Sequence, residues 1–179
     1  MKDNRVLLGF SGGIDSFAAV GLLQAAGYHV TALTLDMRGD SALLEKARLR
    51  AGALGIPWRM RSVRERFERE VVDYFTDSYF RGRTPAPCTR CNSRIKWPCL
   101  AAEADALGIR YIATGHYFRI TSAGGKRYVT RAADNRKDQS YYLWDLPQEV
   151  LDRVLTPMGT VIKRNIVEEL ADRRESMGA

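Results

Sequence analysis

One glycine-rich segment constrains the fold of this chain more than any other feature of its sequence. Residues 9–16 read GFSGGIDS and join an apolar run at 5–10 to a stretch of helical apolar spacing at 15–26. A glycine-rich turn between a buried strand and a helix lets the backbone approach an anion closely and presents free N–H groups to it. The segment therefore predicts a phosphate-binding loop. A glycine turn that only caps the helix is the alternative.

The side chains of this loop indicate which kind of phosphate-binding loop it is. Ser11 and Ser16 add hydroxyl donors, and no Gly-Lys-Ser/Thr follows, so this is not a Walker-type loop. A carboxylate does not attract phosphate, and Asp15 is therefore expected to bind a magnesium ion or to cap the helix.

Strands and helices alternate along most of the chain. The apolar patterns predict strands at 5–10, 29–36, 58–63 and 110–114, and helices at 15–26, 42–54, 65–79 and 100–107. This alternation is typical of an α/β fold in which helices flank a parallel sheet. A hairpin is predicted around 122–125. We interpret residues 1–140 as the nucleotide-binding domain and 141–179 as a C-terminal extension, helical and amphipathic over 141–171, with a tail at 173–179 that lacks a packing signal.

Length and charge set further limits. The 179 residues, 45% of them apolar, suffice for one domain with a substantial core. No apolar run approaches the roughly 18 residues of a membrane span, and no signal-peptide pattern precedes the first strand. We therefore expect a cytoplasmic protein without a membrane partner. The 28 basic and 21 acidic residues give a net charge of +7, which is compatible with a polyanionic partner.

The chain has three cysteines, Cys88, Cys91 and Cys99, and they lie close together in sequence. A disulfide framework would be dispersed and usually even in number. The cluster favours redox or metal chemistry instead.

Four motifs, in order along the chain, resemble known proteins. SGGIDS is similar to the pyrophosphate loop (PP-loop) of the ATP pyrophosphatases. Residues 82–97, GRTPAPCTRCNSRIKW, are similar to a signature of the tRNA-uridine 2-sulfurtransferases, the 2-thiouridylase family. The segments ATGHY at 113–117 and KDQSY at 137–141 match that family in order and approximate spacing, and 146–159 also resembles it. The resemblance covers about residues 5–170 and implies a Rossmann-like, adenine nucleotide alpha hydrolase-like fold.

The resemblance also implies an activity. Family members use ATP and Mg²⁺ to adenylate the C2 oxygen of a tRNA uridine, at the wobble position, and replace it with sulfur to give 2-thiouridine. Adenylation makes the oxygen a good leaving group, and sulfide or a persulfide-carrying protein would supply the sulfur. A partner-dependent sulfur-handling or tRNA-binding subunit is the main alternative. A catalytically inactive tRNA-binding module is a second, but it would have no need of the intact loop.

Site residues follow from the resemblance, position by position. Those assigned to ATP are Gly9, Phe10, Ser11, Gly12, Gly13, Ile14, Asp15, Ser16, Leu35 and Gly115. Those assigned to tRNA are Ala86, Pro87, Cys88, Lys137, Asp138 and Gln139. The catalytic candidates are Asp15, Cys88 and Cys91, where Cys91 matches the family's first essential cysteine. Positive charge near the cysteines comes from Arg90, Arg94 and Lys96, and would favour a thiolate.

Three further polar residues each have two possible roles. His116 is a base or a structural hydrogen-bond partner, and we favour the structural role because nothing in the sequence pairs it with a nucleophile. Lys163 and Arg164, like Lys137, are candidates for tRNA binding or for solvated positions on a helix face.

The sequence also departs from the family. Members are about twice as long, with further domains that grip tRNA and a second essential cysteine beyond the stretch matched here. We therefore expect a short form, natural or a fragment, and a homodimer would recover tRNA-binding surface. Ala86 stands where asparagine is common in the family, which weakens its assigned base contact.

Cys99 has no counterpart in the family motif. It follows Pro98, which favours the first turn of a helix, and it is expected to point back toward Cys88 and Cys91. Three thiolates without a nearby fourth ligand suit a [4Fe–4S] cluster with one open iron, whereas zinc ordinarily takes four protein ligands. The alternatives are a reversible dithiol pair of Cys88 and Cys91, and a Cys99 that is a small buried hydrophobe.

Overall fold

The fold is built on a parallel sheet in a computed structural model that describes residues 4–166 and 168. The sheet strands are β1 (Arg5–Gly9), β2 (His29–Asp36), β3 (Trp58–Ser62), β4 (Tyr111–Thr114) and β7 (Val154–Leu155), and β5 (Arg119–Ala123) and β6 (Lys126–Thr130) form a separate antiparallel hairpin. The strand order in the sheet is β3–β2–β1–β4–β7. The predicted Rossmann-like α/β fold with a parallel sheet is confirmed.

Helices cover both faces of the sheet. They are α1 (Ile14–Ala25), α2 (Ser41–Ala53), α3 (Arg64–Phe67), α4 (Asp73–Phe80), α5 (Pro87–Cys91), α6 (Trp97–Ala106) and α7 (Gln148–Leu151). A π-helical turn, Glu68–Val72, joins α3 to α4, and a second, Asn92–Lys96, joins α5 to α6. Such turns are rare and occur frequently at functional sites.

The central strand β1 is buried on both faces, as its continuous apolar run predicts. Val6, Leu7 and Leu8 are fully buried. Leu8 packs in the core cluster that contains Val20 of α1, whereas Leu7 packs on the opposite side with Leu100 of α6. Burial between two helical layers explains why the strand has no polar face.

The strand order reverses next to β1, which pairs with β2 on one side and with β4 on the other. Gly9 at its carboxyl end lies opposite Leu33 of β2 and opposite Thr114 of β4. In open parallel sheets, ligands bind beyond the carboxyl ends of the strands at such a switch point. The glycine-rich loop leaves β1 at this place.

The C-terminal part differs from the predicted helix over 141–171. The described residues there form a 3₁₀ turn (Ser140–Tyr142), the short α7 and β7, and a helical turn at 163–166. Pro147 and Pro157 interrupt the predicted helix, because proline lacks an N–H donor and clashes with the preceding turn. Between them, Val154 pairs with Ile112 of β4 and adds a strand to the sheet. The tail at 173–179 lies outside the described residues.

Residues that follow position 140 share the core of the sheet. Leu143, Leu146 and Leu151 are buried in the same cluster as Leu7 and Ile112. The division of the chain at residue 140 stays an interpretation. Within the described residues, no helix has the length and apolar character needed to cross a membrane.

Candidate active site

A cavity of about 1710 Å³ lies at the carboxyl ends of β1, β2 and β4. Small-molecule pockets usually measure roughly 300–1,000 Å³, so the space exceeds what one nucleotide needs. The residues assigned to ATP that line it are Gly9, Phe10, Ser11, Asp15, Ser16, Leu35 and Gly115. The opposite wall includes Phe67, Val71, Val72 and Phe75, together with Pro87, Cys88 and Cys91. The fold thus brings the loop and two of the cysteines to one space.

The loop is held in shape by its own hydroxyl groups. The N–H of Gly13 donates to Ser11 Oγ at 3.2 Å, and Ser16 Oγ donates to the carbonyl oxygen of Gly13 at 3.0 Å. The two hydroxyl oxygens are 3.2 Å apart. Gly12 has a φ of +68°, and a Cβ there would lie 2.9 Å from the Cα of Ala47. Glycine is therefore required at position 12 by both conformation and space.

The start of helix α1 has no side-chain hydrogen-bond cap among the described residues. Its N-cap, Gly13, is extended and provides no side-chain cap. The first N–H groups of the helix therefore remain available to an anion. Gly12, Gly13 and Ile14 are not part of the cavity lining, and their assignment to ATP stays a prediction.

Both carboxylate oxygens of Asp15 are engaged by protein side chains. Tyr117 Oη donates to Oδ1 at 2.8 Å, and Lys163 Nζ donates to Oδ2 at 2.8 Å. Burial and this hydrogen bond raise the pKa of Tyr117 well above its usual range, so the phenol stays a donor. Asp15 does not cap α1, contrary to one of the two roles predicted for it.

The position of Lys163 in the structure differs from both roles that the sequence suggests for it. Its side chain was predicted to bind tRNA or solvent, but it lies at the loop, 2.8 Å from Asp15. Its backbone N–H donates to Asp134 Oδ2 at 3.0 Å, which anchors the start of this helical turn. No local signal reveals the contact, because 148 residues separate Lys163 from Asp15.

Gly115 closes the loop from the side of β4. A Cβ at this position would lie 2.8 Å from the backbone N of Ser16 and 3.0 Å from the carbonyl carbon of Asp15. The backbone after β4 therefore packs directly against the first turn of α1. This contact explains a glycine here, and contact of Gly115 with a nucleotide stays a prediction.

His116 is half-buried, lines the cavity and is engaged by its neighbours. Its Nδ1 lies 2.8 Å from Thr114 Oγ1, and its ring packs against the rings of Trp97 and Tyr142. Burial, with a smaller contribution from the Lys96 charge, lowers the pKa of His116 to about 3. The imidazole is neutral near pH 7 and is a weak base, which supports the structural role.

The two cysteines of α5 have different environments. Cys88 is exposed, whereas Cys91 is only 8% exposed. Burial raises the pKa of the Cys91 thiol, and the charge of Lys96 acts in the opposite direction. Lys96 lines the cavity, while Arg90 binds the carbonyl oxygen of Glu70 at 2.7 Å. Of the predicted cations, Lys96 is thus the one whose charge acts on Cys91.

Cys99 faces the protein core. It is 2% exposed, shares a core cluster with Val63, Val71, Cys91 and Ile95, and accepts a contact from Arg66 Nη1 at 3.6 Å. Across the described residues, no group of three or more His, Cys, Asp or Glu side chains is arranged to hold a metal ion. The three cysteines do not form such a group in the described part of the chain, and a [4Fe–4S] cluster on them stays a prediction from the sequence. Cys99 is buried, as the small-hydrophobe alternative expects.

The segments assigned to tRNA lie around the cavity mouth. Pro87, Cys88 and Gln139 line the cavity, whereas Ala86 and Lys137 are exposed outside the lining.

Asp138, also assigned to tRNA, is committed to internal hydrogen bonds. Its Oδ1 accepts from the N–H of Ala132 at 2.9 Å, and its Oδ2 accepts from Ser140 Oγ at 2.7 Å. Although burial opposes ionisation, these hydrogen bonds hold the pKa of Asp138 below its usual value.

Sequence reasoning missed an ion pair in the cavity wall. Asp36 ends β2 and is 3% exposed, and Arg64 Nε donates to its Oδ2 at 2.8 Å. The N–H of Gly39 donates to Oδ1 at 2.7 Å. The hydrogen bond from Arg64, opposed by burial and aided by Gly39, lowers the pKa of Asp36. An acidic residue at a strand end next to an arginine is a weak signal in sequence.

Comparison with known proteins decides the family. The profile of the family described as "tRNA methyl transferase HUP domain" matches residues 4–177. The chain belongs to this family. This HUP domain is 45% identical over 175 residues to tRNA-specific 2-thiouridylase MnmA 2 of Phocaeicola vulgatus, covering 96% of the chain and 50% of that relative. It is 44% identical over 188 residues to tRNA-specific 2-thiouridylase MnmA 1 of Bacteroides fragilis strain YCH46, covering 99% of the chain and 52% of that relative.

The HUP domain spans about half the length of these curated relatives. Solved structures share its fold. A predicted subunit of tRNA methyltransferase from Methanocaldococcus jannaschii has a TM-score of 0.60 at 15% identity, covering 94% of this chain and 75% of that one. The glutamine-dependent NAD+ synthetase from Acinetobacter baumannii has a TM-score of 0.59 at 21% identity, and the match covers 99% of this chain and 30% of that one. The family resemblance stated from the motifs is confirmed.

Proposed function

We propose that this chain takes part in ATP-dependent tRNA thiolation, in which the C2 oxygen of a uridine is adenylated and then replaced by sulfur to give 2-thiouridine. The main support for the proposal is that Ser11 and Ser16 of the loop line the same cavity as Cys88 and Cys91 of α5. Relatives named tRNA-specific 2-thiouridylase, at 44–45% identity, support it.

The phosphates of ATP bind at the start of α1 in this proposal. The open N–H groups and the hydroxyl groups of Ser11 and Ser16 are donors for phosphate oxygens, and the Lys163 ammonium supplies positive charge. Leu35, at the end of β2, provides an apolar wall for the base. Mg²⁺ enters with the nucleotide, because Tyr117 and Lys163 already hold the loop carboxylate.

The chemistry runs across the cavity. The uridine O2 attacks the α-phosphorus of ATP and pyrophosphate leaves. A sulfur nucleophile then adds to C2, and AMP leaves with the former uridine oxygen. Cys91 and Cys88 supply or activate the sulfur, with Lys96 favouring the thiolate form of Cys91. Asp15 positions Lys163 rather than touching a reacting atom.

The tRNA approaches the cavity mouth in this proposal. Pro87 and Gln139 at the opening would contact the target base, and the exposed Ala86 and Lys137 would contact neighbouring nucleotides. Asp138 would act by holding the KDQ segment in shape. The wobble position, a sulfide or persulfide-protein donor, a cytoplasmic location and a homodimer remain predictions from the sequence.

The test is a single assay with three readouts. The purified chain is incubated with ATP, Mg²⁺, unmodified tRNA and sulfide, and AMP, pyrophosphate and 2-thiouridine are quantified, the last by nucleoside mass spectrometry. We expect all three in equal amounts. Asp15→Ala should abolish them without changing the titratable thiols, whereas Asp77→Ala, an exposed carboxylate paired with Arg81, is the matched control.

Two other results have distinct meanings. Formation of AMP without 2-thiouridine, restored by a second protein, would replace the complete enzyme with the partner-dependent subunit. Absence of any tRNA-dependent formation of AMP would contradict the proposed function.

A further inference from the structure

Cys88 and Cys91 stand one helical turn apart where α5 borders the cavity. Residues three apart on a helix share a face, with Cβ atoms about 5–6 Å apart. Disulfide-bonded cysteines usually have Cα atoms roughly 4.4–6.8 Å apart. A bond between these two sulfurs therefore needs only a small adjustment of this turn, and both cysteines line the cavity.

The turn that carries the pair is anchored on both sides. Asn92 Nδ2 donates to the carbonyl oxygen of Cys88 at 2.9 Å. Arg90, between the two cysteines, donates from Nε to the carbonyl oxygen of Glu70 and lies over the ring of Tyr74 at 4.7 Å. These contacts tie α5 to the neighbouring π-turn and keep the Arg90 side chain engaged away from the two sulfurs.

Cys99 is excluded from the pair by geometry. It follows Cys91 by eight residues in one helical run, which corresponds to about 12 Å along a helix axis. That distance exceeds the reach of a disulfide. Its sulfur lies 3.6 Å from Arg66 Nη1, in a buried cluster that also contains Cys91.

We propose that Cys88 and Cys91 are a sulfur-releasing dithiol pair, in which the exposed Cys88 carries a persulfide and the buried Cys91 is the resolving thiol. Exposure decides the order, because a sulfur-donating protein can reach Cys88 but not Cys91. The use of the released sulfur rests on the proposed function. The chemistry of the pair itself does not.

A persulfide donor transfers its outer sulfur to Cys88. Cys91 loses its proton to solvent and its thiolate attacks Cys88 Sγ, so the Cys88–Cys91 bond forms and the bond to the outer sulfur breaks. The outer sulfur leaves with the electron pair as hydrosulfide, which adds to C2 of the adenylated uridine as AMP departs. The two cysteine sulfurs lose two electrons, the outer sulfur gains two, and an external dithiol reduces the disulfide.

Trypsin separates the three cysteines, which makes the test direct. Cleavage after Arg83, Arg90, Arg94, Lys96 and Arg110 places Cys88 in 84–90, Cys91 in 91–94 and Cys99 in 97–110. The reduced chain is treated with glutathione persulfide, without ATP or tRNA, and then alkylated and digested without reductant. We expect about one sulfide released per chain and a disulfide that joins peptides 84–90 and 91–94.

The variants assign each role. Cys91→Ser should keep a persulfide on 84–90 and release no sulfide, and Cys88→Ser should form neither a stable persulfide nor the linked peptides. Cys99→Ser is the matched control and should behave as the wild type. Circular dichroism of each variant checks that the fold is retained.

Three outcomes would overturn the proposal. These are a persulfide found on 91–94, a disulfide that includes 97–110, or iron retained by Cys88 and Cys91 after anaerobic purification. Because the assay contains neither ATP nor tRNA, its failure would leave the ATP-dependent formation of AMP to be judged separately.

Discussion

Lys163 donates a hydrogen bond to Asp15, with 2.8 Å between Nζ and Oδ2, and so joins the glycine-rich loop to a residue 148 positions further along the chain. Tyr117 holds the other oxygen of Asp15 at the same distance. The ammonium group therefore lies beside the start of α1, where the geometry favours an anion. In the proposed function, it exchanges its carboxylate partner for a phosphate oxygen when ATP binds.

Replacing Lys163 should weaken ATP binding. A charge-assisted hydrogen bond contributes about 1.5–3 kcal/mol, so Lys163→Met should raise the Kd for ATP roughly 10- to 100-fold, and Lys163→Arg should restore part of the affinity. Isothermal titration with a non-hydrolysable ATP analogue measures the change. Arg164→Met is the matched control, since that side chain is 82% exposed. Equal affinities for the two methionine variants would contradict the role of Lys163.

A methyl group at position 115 should disturb the loop. The Cβ of Gly115→Ala would lie 2.8 Å from the backbone N of Ser16, so either β4 or α1 must move. We expect a loss of stability of about 1–3 kcal/mol together with weaker ATP binding. Gly21→Ala in α1 is the control, because nothing lies within 4 Å of its added Cβ, and it should stabilise the helix slightly. Urea unfolding and nucleotide titration report the two effects, and an unchanged Kd for Gly115→Ala would argue against the packing.

The stability of the chain should fall as the pH decreases from 6.5. Burial lowers the pKa of His116 to about 3, whereas an unfolded histidine titrates near 6.5. Between these pH values the imidazole of His116 is protonated in the unfolded state but not in the folded state. The free energy of unfolding is therefore unaffected by this group above pH 6.5 and falls as the pH decreases toward 3. The limiting slope is about 1.4 kcal/mol per pH unit.

Urea midpoints measured between pH 7 and pH 5 test this slope. His116→Gln should flatten it, because glutamine does not titrate. His29→Gln, at an exposed position, should leave it intact. An unchanged slope in the His116 variant would show that other groups control the acid sensitivity.

Removing Arg64 should destabilise the wall of the cavity. Arg64→Ala leaves the buried carboxylate of Asp36 with hydrogen bonds from the backbone of Gly39 and Arg38 but without its charged partner, at a cost of about 1–2 kcal/mol. Arg48→Ala breaks an exposed pair with Glu45 and should have no measurable effect. Thermal unfolding at pH 7 compares the two. Similar melting temperatures would mean that the Asp36 carboxylate is solvated without Arg64.

Local sequence patterns correctly predicted the strands and turns whose conformation depends mainly on neighbouring residues. The bounds of β2 were predicted without error, and the turn around Gly12 was recognised because glycine alone suits its conformation and space. Over the described residues, the predicted helix at 141–171 is replaced by shorter elements, because Pro147 and Pro157 interrupt a helix that the apolar spacing alone would allow. The π-turns were not predicted, because an inserted residue in a helix leaves no periodic mark in so short a segment.

By itself, the sequence determined the α/β class, the position of the glycine-rich loop between β1 and α1, and the membership of the family, because short-range periodicity, glycine placement and ordered motifs carry that information. Only the tertiary structure decided which side chains meet. It brought Lys163 to Asp15, placed Cys88 and Cys91 at the cavity, and turned Cys99 into the core. These contacts join elements distant in sequence or depend on the direction in which a helix faces, and both are set by packing against the sheet.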